Sequence, residues 1–157
     1  MFDQINGLPV HVLVLHAAVV FVPLLAIGAI VYALVARWRP NIGWAVVLLG
    51  VVAPISTFVT MQSGKQLYSR LIARGVSGKG KDLLDHHMNY GTMTFWFSLA
   101  LGVVTLVAAA VTLRKIGPLP RAAELALSVA MVVLAAISGY YVFRTGDSGA
   151  TAVWGTY

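Results

Sequence analysis

The chain has 157 residues, of which 59% are hydrophobic and 10% charged, and its formal net charge is +6. A water-soluble domain of this size could not cover its surface with so few polar groups, so most of the chain must lie in lipid. The absence of cysteine excludes disulfides, thiolate metal ligands, thioether-attached haem and cysteine nucleophiles. All Lys and Arg residues fall in predicted loops and helix ends. The positive charge therefore predicts a lipid bilayer as partner and no nucleic acid.

Four apolar segments are each near or above the roughly 20 residues that cross the hydrocarbon core as a helix. Helices one to four are predicted at residues 8–36, 42–61, 88–113 and 122–143. The links between helices one and two, and between three and four, are short, which makes neighbouring helices antiparallel. The sequence thus predicts an all-α protein, a single transmembrane domain over residues 1–157 folded as an up-down four-helix bundle.

The connection between helices two and three, residues 62–87, is longer and amphipathic. Leu67 and Leu71 alternate with Lys65 and Arg70 at helical spacing. This pattern predicts a surface helix lying in the headgroup region.

Basic residues in the links favour one orientation. The short links carry five basic residues and the opposite side carries six, so the totals do not determine the orientation. The basic residues are denser in the short links, which favours a cytoplasmic position for those links. We therefore expect a multi-pass membrane protein with both termini outside. The basic residues of the short links are Arg37, Arg39, Arg114, Lys115 and Arg121. Those of the other side are Lys65, Arg70, Arg74, Lys79, Lys81 and Arg144.

The histidines are the most informative residues, because all of them lie near the starts of helices one and three, at the same face of an up-down bundle. Five residues at about 100° each put His11 and His16 roughly 140° apart, so only one of them is expected to point into a small site. His16 lies about 7 Å deeper in apolar sequence, where a polar side chain tends to face the bundle interior. His11 and His86 are predicted at the interface, in contact with headgroups or water. We therefore predict that His16 and His87 approach each other.

A neutral imidazole is a ligand for haem iron, copper or zinc, and paired histidines on facing helices of a bundle can hold a b-type haem. The candidate cofactor residues are His16 and His87, followed by His11 and His86. Met88 could add a soft metal ligand beside His16 and His87, although methionine in apolar helices more often serves packing. Structural hydrogen bonds are the alternative role for the histidines. No nucleophile elbow or phosphate-binding glycine loop is present, and we expect no independent catalytic activity.

Motifs spread over almost the whole chain occur in an order and spacing that resembles a bacterial family of small, uncharacterised four-helix membrane proteins known as a domain of unknown function. The motifs are Leu8-Pro9-x-His11-x-x-x-x-His16, Ser63-Gly64, His87 with Gly91, and Gly139 followed by the glycine-containing tail. The resemblance implies a four-helix fold, a histidine cluster and a location in the bacterial inner membrane, and it implies no particular function.

The chain departs from this family pattern at several positions. It has Val12 and Ala17-Ala18 where members often have Pro and Phe-Pro, and Asp147 where many carry a tail histidine. A ligand set that includes the tail is therefore not implied for this chain.

Three functions remain open at this stage. The first is a bundle that binds haem b and transfers electrons near the quinone pool. The second is a non-catalytic accessory or assembly subunit whose histidines only form hydrogen bonds. The third is a copper- or zinc-handling protein. The partners expected in each case are the bilayer and either a second copy of the chain or a larger membrane complex.

The orientation can be tested by cysteine labelling, since the chain has no cysteine of its own. Lys79→Cys should react with an impermeant maleimide added to intact cells, because position 79 is predicted on the outer side. Reaction of Arg39→Cys alone would show the reverse orientation.

Overall fold

The structure is a computed structural model that describes residues 4–5, 8–113 and 120–155. Nearly all of the described chain is helical, with a 3-10 turn at Ala36–Trp38. Two-residue strands β1 (Gln4–Ile5) and β2 (Leu8–Pro9) pair antiparallel just before the first helix. The helices are α1 (Val10–Leu34), α2 (Arg39–Ala73), α3 (Lys79–Leu113) and α4 (Arg121–Trp154).

The helices form a closed four-helix bundle, as the apolar segments predict. Each helix packs against two neighbours, in the order α1, α2, α3, α4 and back to α1. Helices α1 and α3 are therefore diagonally opposite across the bundle. All four are long and apolar enough to cross a membrane, and their outer faces expose large apolar side chains that suit lipid. The predicted all-α membrane bundle is confirmed.

The predicted surface helix between helices two and three is not a separate element. Helix α2 continues without interruption to Ala73, and α3 begins at Lys79 instead of residue 88. Gly75 and Gly78, which have φ values of 94° and 58°, reverse the chain between the two helices. Such positive φ angles are readily available only to glycine. The amphipathic pattern at residues 62–73 therefore belongs to the last turns of α2.

Helix α4 also extends beyond its predicted end at residue 143 and reaches Trp154. Gly146 and Gly149 indicate turns in the sequence, but the helix passes through both. Packing of this segment against α3 outweighs the helix propensity that each glycine loses, about 1 kcal/mol. Arg114 and Lys115, which entered the orientation prediction, lie outside the described residues.

The centre of the bundle combines apolar side chains with hydroxyl groups that join neighbouring helices. Val22, Leu25, Tyr32, Leu101 and Met131 are among the largest fully buried side chains. Hydroxyls lie in the same interior and bond across helix pairs, because unsatisfied polar groups are costly there. These pairs are Thr57 with Ser98 at 2.9 Å between α2 and α3, and Thr94 with Thr145 at 2.9 Å between α3 and α4.

Helices α2 and α3 pack closely at Gly102. A Cβ built there would be 2.5 Å from the Gly50 carbonyl oxygen and 2.9 Å from Pro54 Cγ. Helices α2 and α3 can come this near only because neither contact position carries a side chain. Small residues have this role at many helix contacts in membranes.

Gly102→Ala should destabilise the bundle, because the added methyl meets backbone that cannot move aside. Overpacking of this kind costs about 1–3 kcal/mol. Unfolding of the purified protein in mixed detergent, followed by circular dichroism, measures the effect. Gly139→Ala is the matched control, since a Cβ at Gly139 meets nothing within 4 Å. Equal stability of the two variants would contradict the close α2–α3 contact.

Candidate functional site

Two histidines from diagonally opposite helices meet at one end of the bundle. His11 lies in the first turn of α1, and His87 lies in the third turn of α3. Their ring centroids are 6.2 Å apart and the ring planes are nearly perpendicular, at 88°. Both side chains are partly buried between the helices. The structure thus forms an imidazole pair at the membrane face where the sequence placed the histidines.

His11 is held by the neighbouring helix α2. Its Nδ1 lies 3.0 Å from the Thr60 carbonyl oxygen and 3.4 Å from Ser63 Oγ. The ring packs on the backbone at Gly64, where a Cβ would lie 3.1 Å from His11 Cε1. The helix surface at Thr60, Ser63 and Gly64 therefore sets the ring orientation.

His87 is held in the same manner by α4. Its Nδ1 lies 3.1 Å from Ser148 Oγ, and the hydroxyl of Ser148 donates to the Thr145 carbonyl at 3.1 Å. A Cβ at Gly149 would be 2.9 Å from His87 Cε1, so only glycine leaves room for the ring in this position. Thr145, Ser148 and Gly149 all lie beyond the predicted end of helix four.

The hydrogen bonds determine which nitrogen of each ring carries the proton. A carbonyl oxygen can only accept, so His11 Nδ1–H donates to Thr60. With the hydroxyl proton of Ser148 donated to the Thr145 carbonyl, Ser148 Oγ accepts from His87 Nδ1–H; this tautomer is the one used below. In the neutral state both Nε2 atoms then carry a free lone pair. Metal-binding histidines commonly have this tautomer, with Nδ1–H bonded to a carbonyl or another acceptor.

The predicted pairing of His16 with His87 is wrong in this structure. His16 is exposed on the outside of the bundle, and its Nδ1 bonds to the Val12 carbonyl one turn earlier in the same helix, at 3.0 Å. Only one of the two histidines of α1 points into the bundle, as their angle predicts, but it is His11 and not the deeper His16. His11 faces inward because α2 offers acceptors at the level of the first turn of α1.

The other candidate residues flank the pair. His86 is exposed, as expected from its angle of about 100° to His87. Met88 is partly buried in α3. In the described ranges, 4–5, 8–113 and 120–155, no three His, Cys, Asp or Glu residues are grouped so that they could hold a metal ion.

Charged side chains near this end of the bundle form contacts that do not involve the inward imidazoles. Asp85 accepts hydrogen bonds from the Tyr68 hydroxyl at 2.5 Å and from the Lys81 ammonium at 2.6 Å, which ties the end of α2 to the start of α3. Arg144 donates to the Tyr90 hydroxyl at 2.8 Å and lies over the Tyr90 ring. These contacts join α3 to both of its neighbours at the level of the histidines.

The residues that hold the imidazoles were missed by the sequence analysis. Ser63-Gly64 was noticed as a motif, but nothing connected it with His11. A signal was present, since Thr-x-x-Ser-Gly occurs at residues 60–64 and again at residues 145–149. Two copies of one motif and two inward histidines would have indicated one partner for each.

Comparison with known protein families supports the membrane fold and assigns no chemistry. The profile of a family described as "Predicted membrane protein (DUF2231)" matches residues 7–156. No curated protein and no solved structure matched the chain.

Proposed function

The chain belongs to the DUF2231 family of predicted membrane proteins, and we propose that it binds one haem b between His11 and His87 and carries electrons at that face of the membrane. The observation that supports the proposal is the pair of imidazoles 6.2 Å apart with both Nδ1 atoms engaged by neighbouring helices. The electron-transfer role follows from the donor set, as set out below.

The number of donors favours haem over a bare zinc ion. A structural zinc site takes four protein ligands and a catalytic one takes three. Haem iron already has four porphyrin nitrogens and needs only two axial ligands from the protein. The two Nε2 atoms of His11 and His87 supply that number.

The separation of the rings also suits a shared metal. Two metal–nitrogen bonds of about 2.0 Å, with about 1.1 Å from each nitrogen to its ring centre, put two opposed imidazoles roughly 6 Å apart. The centroid distance of 6.2 Å would match this value with the two Nε2 atoms facing each other. Because His11 and His87 lie on diagonal helices, the metal would lie near the bundle axis.

Two histidine ligands favour electron transfer over catalysis. A haem held by His11 and His87 would supply electron transfer, and the two histidines would leave it no open position for substrate. The protein's part is to hold both nitrogens in place, and the bonds from Nδ1–H to Thr60 and Ser148 do this. The site lies at an end of the bundle, where a redox partner can approach it.

Two alternative functions are a copper site that uses the same histidines and an accessory role in which the histidines only join helices. A single copper ion can accept two imidazole nitrogens, with Met88 of α3 as a nearby soft donor to test. An accessory or assembly subunit would need the pair only to hold the helices together. Its partner would be a second copy of the chain or another membrane protein, packed on the exposed face that carries His16.

An absorption spectrum of protein purified from membranes in mild detergent tests the proposal. An intense Soret band with about one haem per chain is expected. His11→Ala and His87→Ala should each reduce the band at least tenfold, because each removes one of only two axial ligands.

The chain contains its own matched controls. His16→Ala and His86→Ala remove exposed histidines from the same two helices and should leave the Soret band unchanged. A stoichiometric copper signal without haem would support the copper alternative. Protein with neither haem nor metal would overturn the cofactor proposal and favour the accessory role.

A further inference from the structure

Two segments of the chain have the same sequence pattern in corresponding helices. Residues 58–64 of α2 read Phe-Val-Thr-Met-Gln-Ser-Gly, and residues 143–149 of α4 read Phe-Arg-Thr-Gly-Asp-Ser-Gly. Four of the seven positions are identical, and they are displaced by 85 residues. The identical positions include the Thr, Ser and Gly that contact the histidines.

The buried positions of α1 recur in α3 at a fixed separation along the sequence, and the same separation relates His11 to His87. His11 and His87 are 76 residues apart. The same displacement carries seven of the eight buried residues of α1 onto the seven buried positions described in α3. The pairs are Ala18 and Thr94, Val22 and Ser98, Leu25 and Leu101, Ala26 and Gly102, Ala29 and Thr105, Tyr32 and Ala108, and Ala33 and Ala109.

Helices α2 and α4 repeat in the same manner. The displacement of 85 residues that aligns the two Ser-Gly pairs carries all four buried residues of α4 onto buried residues of α2. These pairs are Val46 and Met131, Gly50 and Ala135, Ala53 and Ser138, and Ser63 and Ser148. A helical period alone would allow several displacements in each helix. In each pair of helices, however, the buried positions and the histidine contacts independently give the same displacement.

The two half-sites are alike in their contacts. In each, a histidine packs on the glycine of the following helix, with 3.1 Å from Cε1 to the Cβ position at Gly64 and 2.9 Å at Gly149. In each, the serine hydroxyl donates to the threonine carbonyl three residues earlier, at 3.0 Å for Ser63 and 3.1 Å for Ser148. The packing order of the helices is also preserved when α1 replaces α3 and α2 replaces α4.

We infer that the chain is an internal duplicate of a two-helix unit, with a pseudo-two-fold axis along the bundle, and that Ser63-Gly64 and Ser148-Gly149 are equivalent positioning residues for His11 and His87. The site is thus built from two half-sites, as at a homodimer interface, where an isologous contact brings the same residue from both subunits together. A ligand on the axis meets two equal donors. This inference rests on the protein geometry and does not depend on the identity of the ligand.

The opposite end of the bundle is consistent with the same axis. Arg39 and Glu124 are also 85 residues apart and form an ion pair at 2.7 Å. Arg39 donates in addition to the carbonyls of Tyr32 and Ala33. In a homodimer the same residue of both subunits would meet near the axis, and two like charges would repel each other there. A duplicated single chain can place opposite charges at the two equivalent positions.

Matched glycine substitutions test the positioning role. Gly64→Ala should displace the His11 ring and leave His87 in place, and Gly149→Ala should do the reverse. Nitrogen NMR of protein labelled with ¹⁵N-histidine, in the reduced state if haem is bound, measures each ring separately. Both variants should also lower the melting temperature by several degrees, as overpacking does. Gly146→Ala is the control, because a Cβ there meets nothing within 4 Å.

Ser63→Ala and Ser148→Ala give a milder second pair if the glycine variants do not fold. Each removes one contact of one imidazole without adding volume, so each should shift only the resonances of its own histidine. Shifts of both histidines in every variant, or of neither, would overturn the equivalence of the half-sites. The measurement needs no haem, so a protein that lacks haem would overturn the proposed function and leave this inference standing.

A charge exchange tests the axis at the other end. Arg39→Glu and Glu124→Arg should each lower the melting temperature. The double variant should recover at least half of the combined loss, because it restores an ion pair with the two charges exchanged between the equivalent positions. A double variant no more stable than the weaker single variant would overturn the equivalence.

Discussion

The hydrogen bond from each inward imidazole to the neighbouring helix is the contact on which this end of the bundle depends. His11 and His87 place a polar ring between apolar helices, where an unpaired donor costs about 1–3 kcal/mol. The carbonyl of Thr60 and the hydroxyl of Ser148 remove that penalty. These acceptors are within reach only because Gly64 and Gly149 let the rings lie directly on the helix backbone. Ser63 and Gly64 of α2 and Ser148 and Gly149 of α4 lie past the ends of the predicted apolar segments, and the continued helices bring them to the histidines.

The remaining interior follows a related rule. Many hydroxyl groups bond across helices or to carbonyls of their own helix. In the described part of the chain, the buried polar atoms without a partner are the hydroxyls of Tyr32, Thr105 and Ser138 and the Nε of Arg144. The close contact between Gly50 and Gly102 brings α2 and α3 together near the middle of the bundle. Small residues and paired hydroxyls therefore give the bundle its packing in lipid, where apolar surface alone gives no preference for a helix neighbour over a lipid chain.

Duplication gives these contacts a common origin. One solution to the burial of a histidine, a glycine surface with a serine and a threonine carbonyl beside it, is used twice in the chain. The two units differ where symmetry would be unfavourable, as at Arg39 and Glu124, and where one helix surface has changed, as at His16 and its equivalent Thr92. The two displacements differ by nine residues, because in the second unit the first helix ends three residues later, the second helix begins three residues earlier and the link between them is three residues longer.

The sequence by itself determined the class of the protein, the number of membrane helices and the membrane face that carries the histidines. Those features depend on composition, on apolar length and on the chain direction of an up-down bundle, all of which are local or additive. It could not choose between His11 and His16, because the choice depends on acceptors about 50 residues away in α2. The end that the sequence predicts for helix four is also too early, because Gly146 and Gly149 are helix-breaking signals in isolation. Only the tertiary structure decided these points, since burial of an imidazole against a glycine surface outweighs the local preferences of either helix.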